Sequence, residues 1–427
     1  MRRGALLIAP AALVVAGCTP IGKLRERLGF VSNATVSARP SPTPNTGVSP
    51  FAEYLLEAFP DARFVRIDPQ SPKLSLAAES VLTRDDPHLK RGAPRFSPDG
   101  RLVAYEEFDR GGGDRFLVVR KLDGVVVRRL PLTLGGIQHR SRLGSEERLG
   151  AVPMSWAPSS DAFAYAHETS LGAWELLITD LAGESRKVTG PPVLPGTIQW
   201  SPTGDRIAYV PATHTSEIWI VETSTITASR LATAPAGIQS FSWSSDAKRL
   251  VVSAGWEQRD IYTLAIDDAA RPSPFRLITS WSFDDVSPSF SPDGRWVAFY
   301  SSFRPLSAPG GWALIVISAD GSDAPTGAAL IDHVRAPTAE VHAETPAPSW
   351  SPDSRWIAYA EPQSDEYHAI VLVEATRSNR NELSPDSITN EDVTISNDGV
   401  LAYRTRKEWG DHIVLGLSAR GATRVER

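Results

Sequence analysis

The string "FSPDGRLVAY", beginning at Phe96, is a Pro-Asp-Gly turn feeding a short apolar strand, and the chain writes it repeatedly. Copies begin at Trp156 ("WAPSSDAFAY"), Trp200 ("WSPTGDRIAY"), Trp243 ("WSSDAKRLVV"), Phe290 ("FSPDGRWVAF") and Trp350 ("WSPDSRWIAY"), with a worn "ISNDGVLAY" at Ile395. Self-similarity at a fixed period decides architecture before any local reading, because each unit is one supersecondary element that buries its faces only against its neighbours. Most starts are spaced by roughly 45 residues, the length of four short strands, with longer gaps after Phe96 and Phe290.

Within a unit, the first strand ends at the aromatic residue. In the turn, proline presets φ at its second position and glycine accepts a positive φ; serine stands in for that glycine at Ser160 and Ser354. The second strand is apolar on both alternating faces, Leu102 and Ala104 on one and Val103 and Tyr105 on the other. A sheet wetted on one face would alternate apolar with polar, so these strands are expected to be covered on both sides. Alanine recurs at one register (Ala104, Ala164, Ala208, Ala298, Ala358, Ala402), where neighbouring sheets should approach most closely. Third strands follow ("RFLVVRK", "SEIWIVE", "HAIVLVE"), then a more polar fourth. The expectation is an all-β β-propeller of four-stranded antiparallel blades. Seven motif copies predict seven blades; a decayed copy from Ala58 ("AFPDARFVRID") and the run "KLSLAAESVLT" leave eight blades, or extra strands on the closing blade, open.

The first residues, "MRRGALLIAPAALVVAGC", place two arginines before an apolar run and small residues before Cys18. This is a secretory signal, too short for a spanning helix. Val15 to Cys18 resembles the lipobox of bacterial lipoproteins, which implies a diacylglycerol on the Cys18 sulfur. Cys18 is the single cysteine of the chain, so no disulfide forms within it. Residues 31–50 are rich in Pro, Ser and Thr and poor in large apolar side chains, the composition of a tether. The expected organisation is therefore a signal peptide over 1–17, a lipidated N-terminus and tether over 18–50, and the propeller over 51–427. Net charge is −6 and the basic residues are scattered, which speaks against nucleic acid as a partner.

From Pro94 to the C-terminus the turn motif and its apolar-Ala-aromatic strand resemble the TolB-like family of WD-type β-propeller repeats. The resemblance implies the fold; as to function it implies a scaffold, a binding surface or a lid on a peptidase. TolB carries an α/β domain before its propeller. The segment between tether and Phe96 is too short for one, so TolB's own binding role is not carried over.

Catalytic motifs are not expected. No Gly-x-Ser-x-Gly elbow occurs, His167-Glu168 opens no His-Glu-x-x-His motif, and the eight histidines never pair at metal-ligand spacing. The aspartates Asp99, Asp293 and Asp353 are explained by turn chemistry rather than by calcium. No metal or cofactor is expected. The candidate binding residues are acids just upstream of first strands, Asp284, Asp285, Glu344, Glu391 and Asp392, which could ring one mouth of the central channel or simply solubilise loop ends. The long insertions at 134–154 and 331–348 could add to that surface. The expected protein is a monomer held by lipid at a bacterial cell membrane or outer membrane, outside the cytoplasm. It is expected to bind an envelope protein, peptide or glycan without catalysis. The rival expectation is a propeller-fold lyase or glycosidase using the channel-mouth carboxylates.

Overall fold

In the computed structural model, the structure describes residues 76–83, 86, 88–109, 115–132, 153–169, 173–267, 271–280, 283–302, 311–320, 329–335, 347–362, 368–375, 380–382, 389–396, 400–407 and 410–418. All of them belong to the compact unit Gly47–Arg427. Cys18, Glu344, the tether and the insertion 134–152 lie outside the described residues.

The described strands form antiparallel sheets, six of four strands and one of five. Every sheet contains one motif copy. The turn joins its first strand to its second, as in Ile238–Trp243 and Arg249–Gly255, which Arg259–Ala265 and Arg276–Leu277 complete. The sheet at Phe96 has a broken first strand, Leu89–Arg91 and Arg95–Phe96, both paired with Leu102–Asp109. The sheet at Ile395 is completed from the other end of the chain: Leu76–Val81 pairs with Gly410–Ser418 and supplies its outermost strand. The run "KLSLAAESVLT" thus belongs to the closing sheet. All told the architecture is all-β, a propeller of four-stranded antiparallel blades.

What holds consecutive sheets together is a large residue set against a small one. The motif aromatic faces the preceding sheet and the strand-two alanine faces the following one. Ala104 therefore shares a cluster with Trp156, Ala164 with Trp200 and Ala208 with Trp243. Further round, Ala298 meets Trp350, Ala358 meets Ile395, and Ala402 meets Phe96, which joins the last sheet to the first. The one interface with valine in the alanine position, Val251, has phenylalanine opposite it, Phe290. These alanines are essentially inaccessible to solvent. Tryptophan adds a directional contact. Its indole N–H donates to a carbonyl of the preceding first strand, from Trp243 to Gln199 at 3.1 Å and from Trp350 to Ser289 at 3.3 Å. Trp200 departs from this pattern; it is half-buried and donates within its own turn, to Gly204 at 3.1 Å.

The turns are locked in a repeated way. Ser97 Oγ donates to Asp99 at 2.6 Å and accepts the Leu102 N–H at 3.0 Å, while the Arg101 N–H donates to the same carboxylate at 3.1 Å. Ser244 with Asp246, Ser291 with Asp293 and Ser351 with Asp353 repeat the arrangement. The residue after the aspartate position takes a positive φ in each described copy: Gly100, Gly204 and Gly294, but also Ser160 (63°), Ala247 (55°) and Ser354 (58°). The two serines offset that strain with a contact no glycine can make. Ser160 Oγ accepts the Asp99 N–H at 3.0 Å and Ser354 Oγ the Asp293 N–H at 2.9 Å, each tying its turn to the turn of the preceding blade.

Candidate functional site

The antiparallel order puts two kinds of segment at the same end of the molecule: the starts of first strands and the hairpins between second and third strands. First strands of neighbouring sheets also meet one another, so this end surrounds the centre of the ring. Loops on such a rigid frame are the natural carriers of binding.

Several first strands carry a β-bulge near their start. Register slips between Ile238 and Ser240, between Val286 and Ser289, and between Glu391 and Thr394. An extra residue re-aims the side chains before it. At the second of these bulges Ser287 adopts a φ of 53°, and the two acids ahead of it part company. Asp284 stays half-buried and clasps Arg259 of the preceding blade. Its carboxylate accepts the Arg259 backbone N–H at 2.9 Å, Nε at 3.2 Å and Nη2 at 3.1 Å. Its own N–H donates to Ser302 Oγ at 2.8 Å. Asp285 is 0 % exposed. Ser301 Oγ of its own blade donates to its carboxylate at 2.6 Å and Ser253 Oγ of the preceding blade to its backbone carbonyl at 2.7 Å, so the residue joins two blades.

Glu391 and Asp392 lie in the strand Thr389–Ile395, Glu391 paired with Arg404 and Asp392 at the bulge. Among the five candidate acids, then, two have described side chains, and both bridge blades.

The blade at Phe96 replaces this hydroxyl chemistry with ions at the same register. Arg91 stands where Asp285 does and Glu107 where Ser301 does, counting from the motif aromatic. Both are buried, 3.5 Å apart, on the interface that joins the first blade to the last. Beside them Arg120 Nε donates to Tyr105 Oη at 2.7 Å. Burial pushes the Tyr105 phenol up, and Arg120 opposes that rise.

Sequence reading missed the most exposed large hydrophobic among the described residues. Trp256 is 73 % exposed, on the hairpin between Arg249–Gly255 and Arg259–Ala265. Two glycines hold it there. A Cβ on Gly255 would lie 1.8 Å from the Gln258 carbonyl oxygen, so the tight return of the hairpin requires glycine. A Cβ on Gly237 would lie 2.6 Å from the indole ring, so the ring rests directly on bare backbone. The Gly255 N–H donates to the Gly237 carbonyl at 2.9 Å, closing this seat. Next to it, the Ile238 N–H donates to the Thr215 carbonyl at 2.8 Å, bringing up the loop of the preceding blade with exposed Thr213 and His214. Arg259, at the far side of the hairpin, is the arginine held by Asp284. The signal was available in "SAGWEQRD": a tryptophan outside the apolar alternation, between glycine and a polar run.

At the opposite end, the turn aspartates are occupied by their own turns. Burial alone would raise the Asp99 carboxyl, but hydrogen bonds from Ser97 and the Arg101 N–H and the charge of Arg101 outweigh it and hold it below the ordinary range. The same opposition, with Ser201 and Thr203 or with Ser244 and Lys248, lowers Asp205 and Asp246. No helix among the described residues is long and apolar enough to cross a membrane.

Comparison with known proteins agrees with this architecture. A curated relative, the uncharacterized peptidase YuxL of Bacillus subtilis (strain 168), is 25% identical over 213 residues, which cover 48% of this chain and 28% of the relative. The chain thus spans less than a third of that protein's length. Among solved structures, a putative TolB from Agrobacterium tumefaciens is similar at 18% identity with a TM-score of 0.44, over 62% of this chain and 87% of that one. Residues 160–426 match the family model of the TolB beta propeller domain, and the chain belongs to that family.

Proposed function

We propose that this chain is a non-catalytic binding scaffold: a seven-bladed propeller, tethered by lipid on Cys18 outside the cytoplasm of a bacterium, that captures an envelope protein, peptide or glycan at its strand-entrance end. The observation that carries this reading is the build of that end. Blade-to-blade staples at Asp284, Asp285 and Ser253 make it rigid, and on it Trp256 is held out to solvent. A preorganised frame presenting one aromatic anchor is the arrangement expected of a recognition surface. Support for seven blades comes from the described sheets, each carrying one motif copy, with Leu76–Val81 completing the last. Against the lyase or glycosidase reading stands Asp285. A carboxylate with no exposed surface, engaged by Ser301, is not available to a substrate.

Two measurements test the proposal. Detergent-phase partitioning should retain the wild-type chain and release Cys18→Ser to the aqueous phase; equal partitioning removes the anchor. Cross-linking in intact cells followed by mass spectrometry should enrich one envelope species with the wild type and lose it with Trp256→Ala. Enrichment that survives Trp256→Ala would move the binding surface away from this end.

A further inference from the structure

We propose that Trp256 is a stacking platform for one pyranose ring of a glycan. The proposal deepens the scaffold reading above by naming its ligand class and its point of contact. Three observations lead to it. The indole is open on one broad face and seated on the Gly237 backbone by the other, at 73 % exposure, so it offers a flat, preoriented surface rather than a wedge into a groove. Gly255, which tolerates no Cβ, fixes the hairpin, and a Cβ at Gly237 would displace the ring, although the pose returns little burial to the fold. And the exposed residues on its own hairpin and on the loop hydrogen-bonded next to Gly237 are polar: Glu257 and Gln258, and Thr213 and His214.

The size of the surface chooses between ligand classes. One tryptophan side chain presents roughly 150–250 Å², whereas a stable protein partner needs about 800 Å² on each side. Among the described residues the other exposed large hydrophobics are Val125, Val126 and Leu277, none of them on this hairpin, so none of these extends the indole. A pyranose fits what is present. Its axial C–H bonds are polarised toward positive charge and meet the negative face of the indole, while its equatorial hydroxyls point sideways to the amide, carboxylate, hydroxyl and imidazole groups of the rim.

The test uses the full chain in detergent with cello-, chito- and malto-hexaose as probes, read by saturation-transfer NMR and titration calorimetry. At least one should bind, with transfer strongest at the C–H protons of one sugar face. Trp256→Ala should weaken it by about tenfold or more, and Trp256→Phe should recover most of the affinity. Because Trp256 is exposed, the alanine variant should melt with the wild type, which separates lost binding from lost fold. Absence of binding by all three up to about 10 mM, or equal binding by wild type and Trp256→Ala, would overturn the proposal. So would a proline-rich peptide that binds through Trp256 where the sugars do not, and the platform would then belong to a peptide. Cellular capture that fails while an oligosaccharide still binds would remove the tethered-scaffold reading and leave the platform standing.

Discussion

The pairing of a large aromatic with a small residue at each blade interface makes a quantitative prediction at Ala208 and Trp243. Ala208 is inaccessible and Trp243 is 6% exposed, both in one cluster. Ala208→Val forces two methyl groups into closed space, which costs about 1–3 kcal/mol. Trp243→Phe removes part of a ring and the bond from indole N–H to the Gln199 carbonyl, the latter worth about 0.5–1.5 kcal/mol. The protein already contains the doubly substituted combination one interface along, where Val251 packs with Phe290. The double variant should therefore lose less stability than the sum of the singles, by about 1 kcal/mol or more, within the range measured for touching residues. Urea denaturation followed by circular dichroism on the four proteins of the cycle gives the coupling from midpoints at constant slope. Singles that add to within about 0.3–0.5 kcal/mol would show that the two positions do not share space, and the packing rule drawn from the described interfaces would be wrong.

At Ser354, where φ is 58° and Oγ receives the Asp293 N–H, alanine keeps the strain and loses the bond while glycine loses the bond and relieves the strain. Ser354→Ala should thus melt below Ser354→Gly, by about 1 kcal/mol in stability; the reverse order would refute the offsetting role of the hydroxyl. Acid stability offers another check. Asp99, Asp205 and Asp246 have carboxyls lowered from 3.8 in the fold, so each contributes stability above its unfolded value that is lost as pH falls through the lower folded one. Thermal melting should hold steady from neutral pH down to about 5 and then decline. The triple Asp→Asn variant should decline less steeply below that point, and an identical acid limb would exclude these turns as its cause.

The motif made the strand order legible because each element of it acts locally. Proline and aspartate bend the turn at Pro98 and Asp99 whatever surrounds them, and the apolar pairs Leu102 with Ala104 and Val103 with Tyr105 declare burial on two sides. What escaped was non-local. Ser160 and Ser354 read as tolerated defects until the preceding blade's N–H is found within reach of each hydroxyl. The acids of "FDDVSPSF" read as a pair, yet the bulge at Ser287 leaves Asp284 on a neighbouring arginine and seals Asp285 against Ser301. The one sign of the bulge in the sequence is Pro288, a proline inside a strand. Trp256 was hidden for the opposite reason. A tryptophan in a chain with 12 of them reads as core unless its place between glycine and a polar run is weighed, and its exposure then shows that it is displayed.

The pairing of Leu76–Val81 with Gly410–Ser418 also sets the order of events when the molecule is made. Every other blade is built from strands close together in the chain and can form as soon as its fourth strand emerges. The closing blade cannot, because its outermost strand emerges first and its inner three emerge last. Until then Leu76–Val81 has no partner and the edge of Gly410–Ser418 does not exist. Once Gly410–Ser418 does appear, it is an open template for any stray strand. Ring closure is therefore the slow, high-separation step of folding and the moment of greatest exposure to misassembly. After it, the two ends of the propeller hold each other, and no blade can peel away without first parting that one seam.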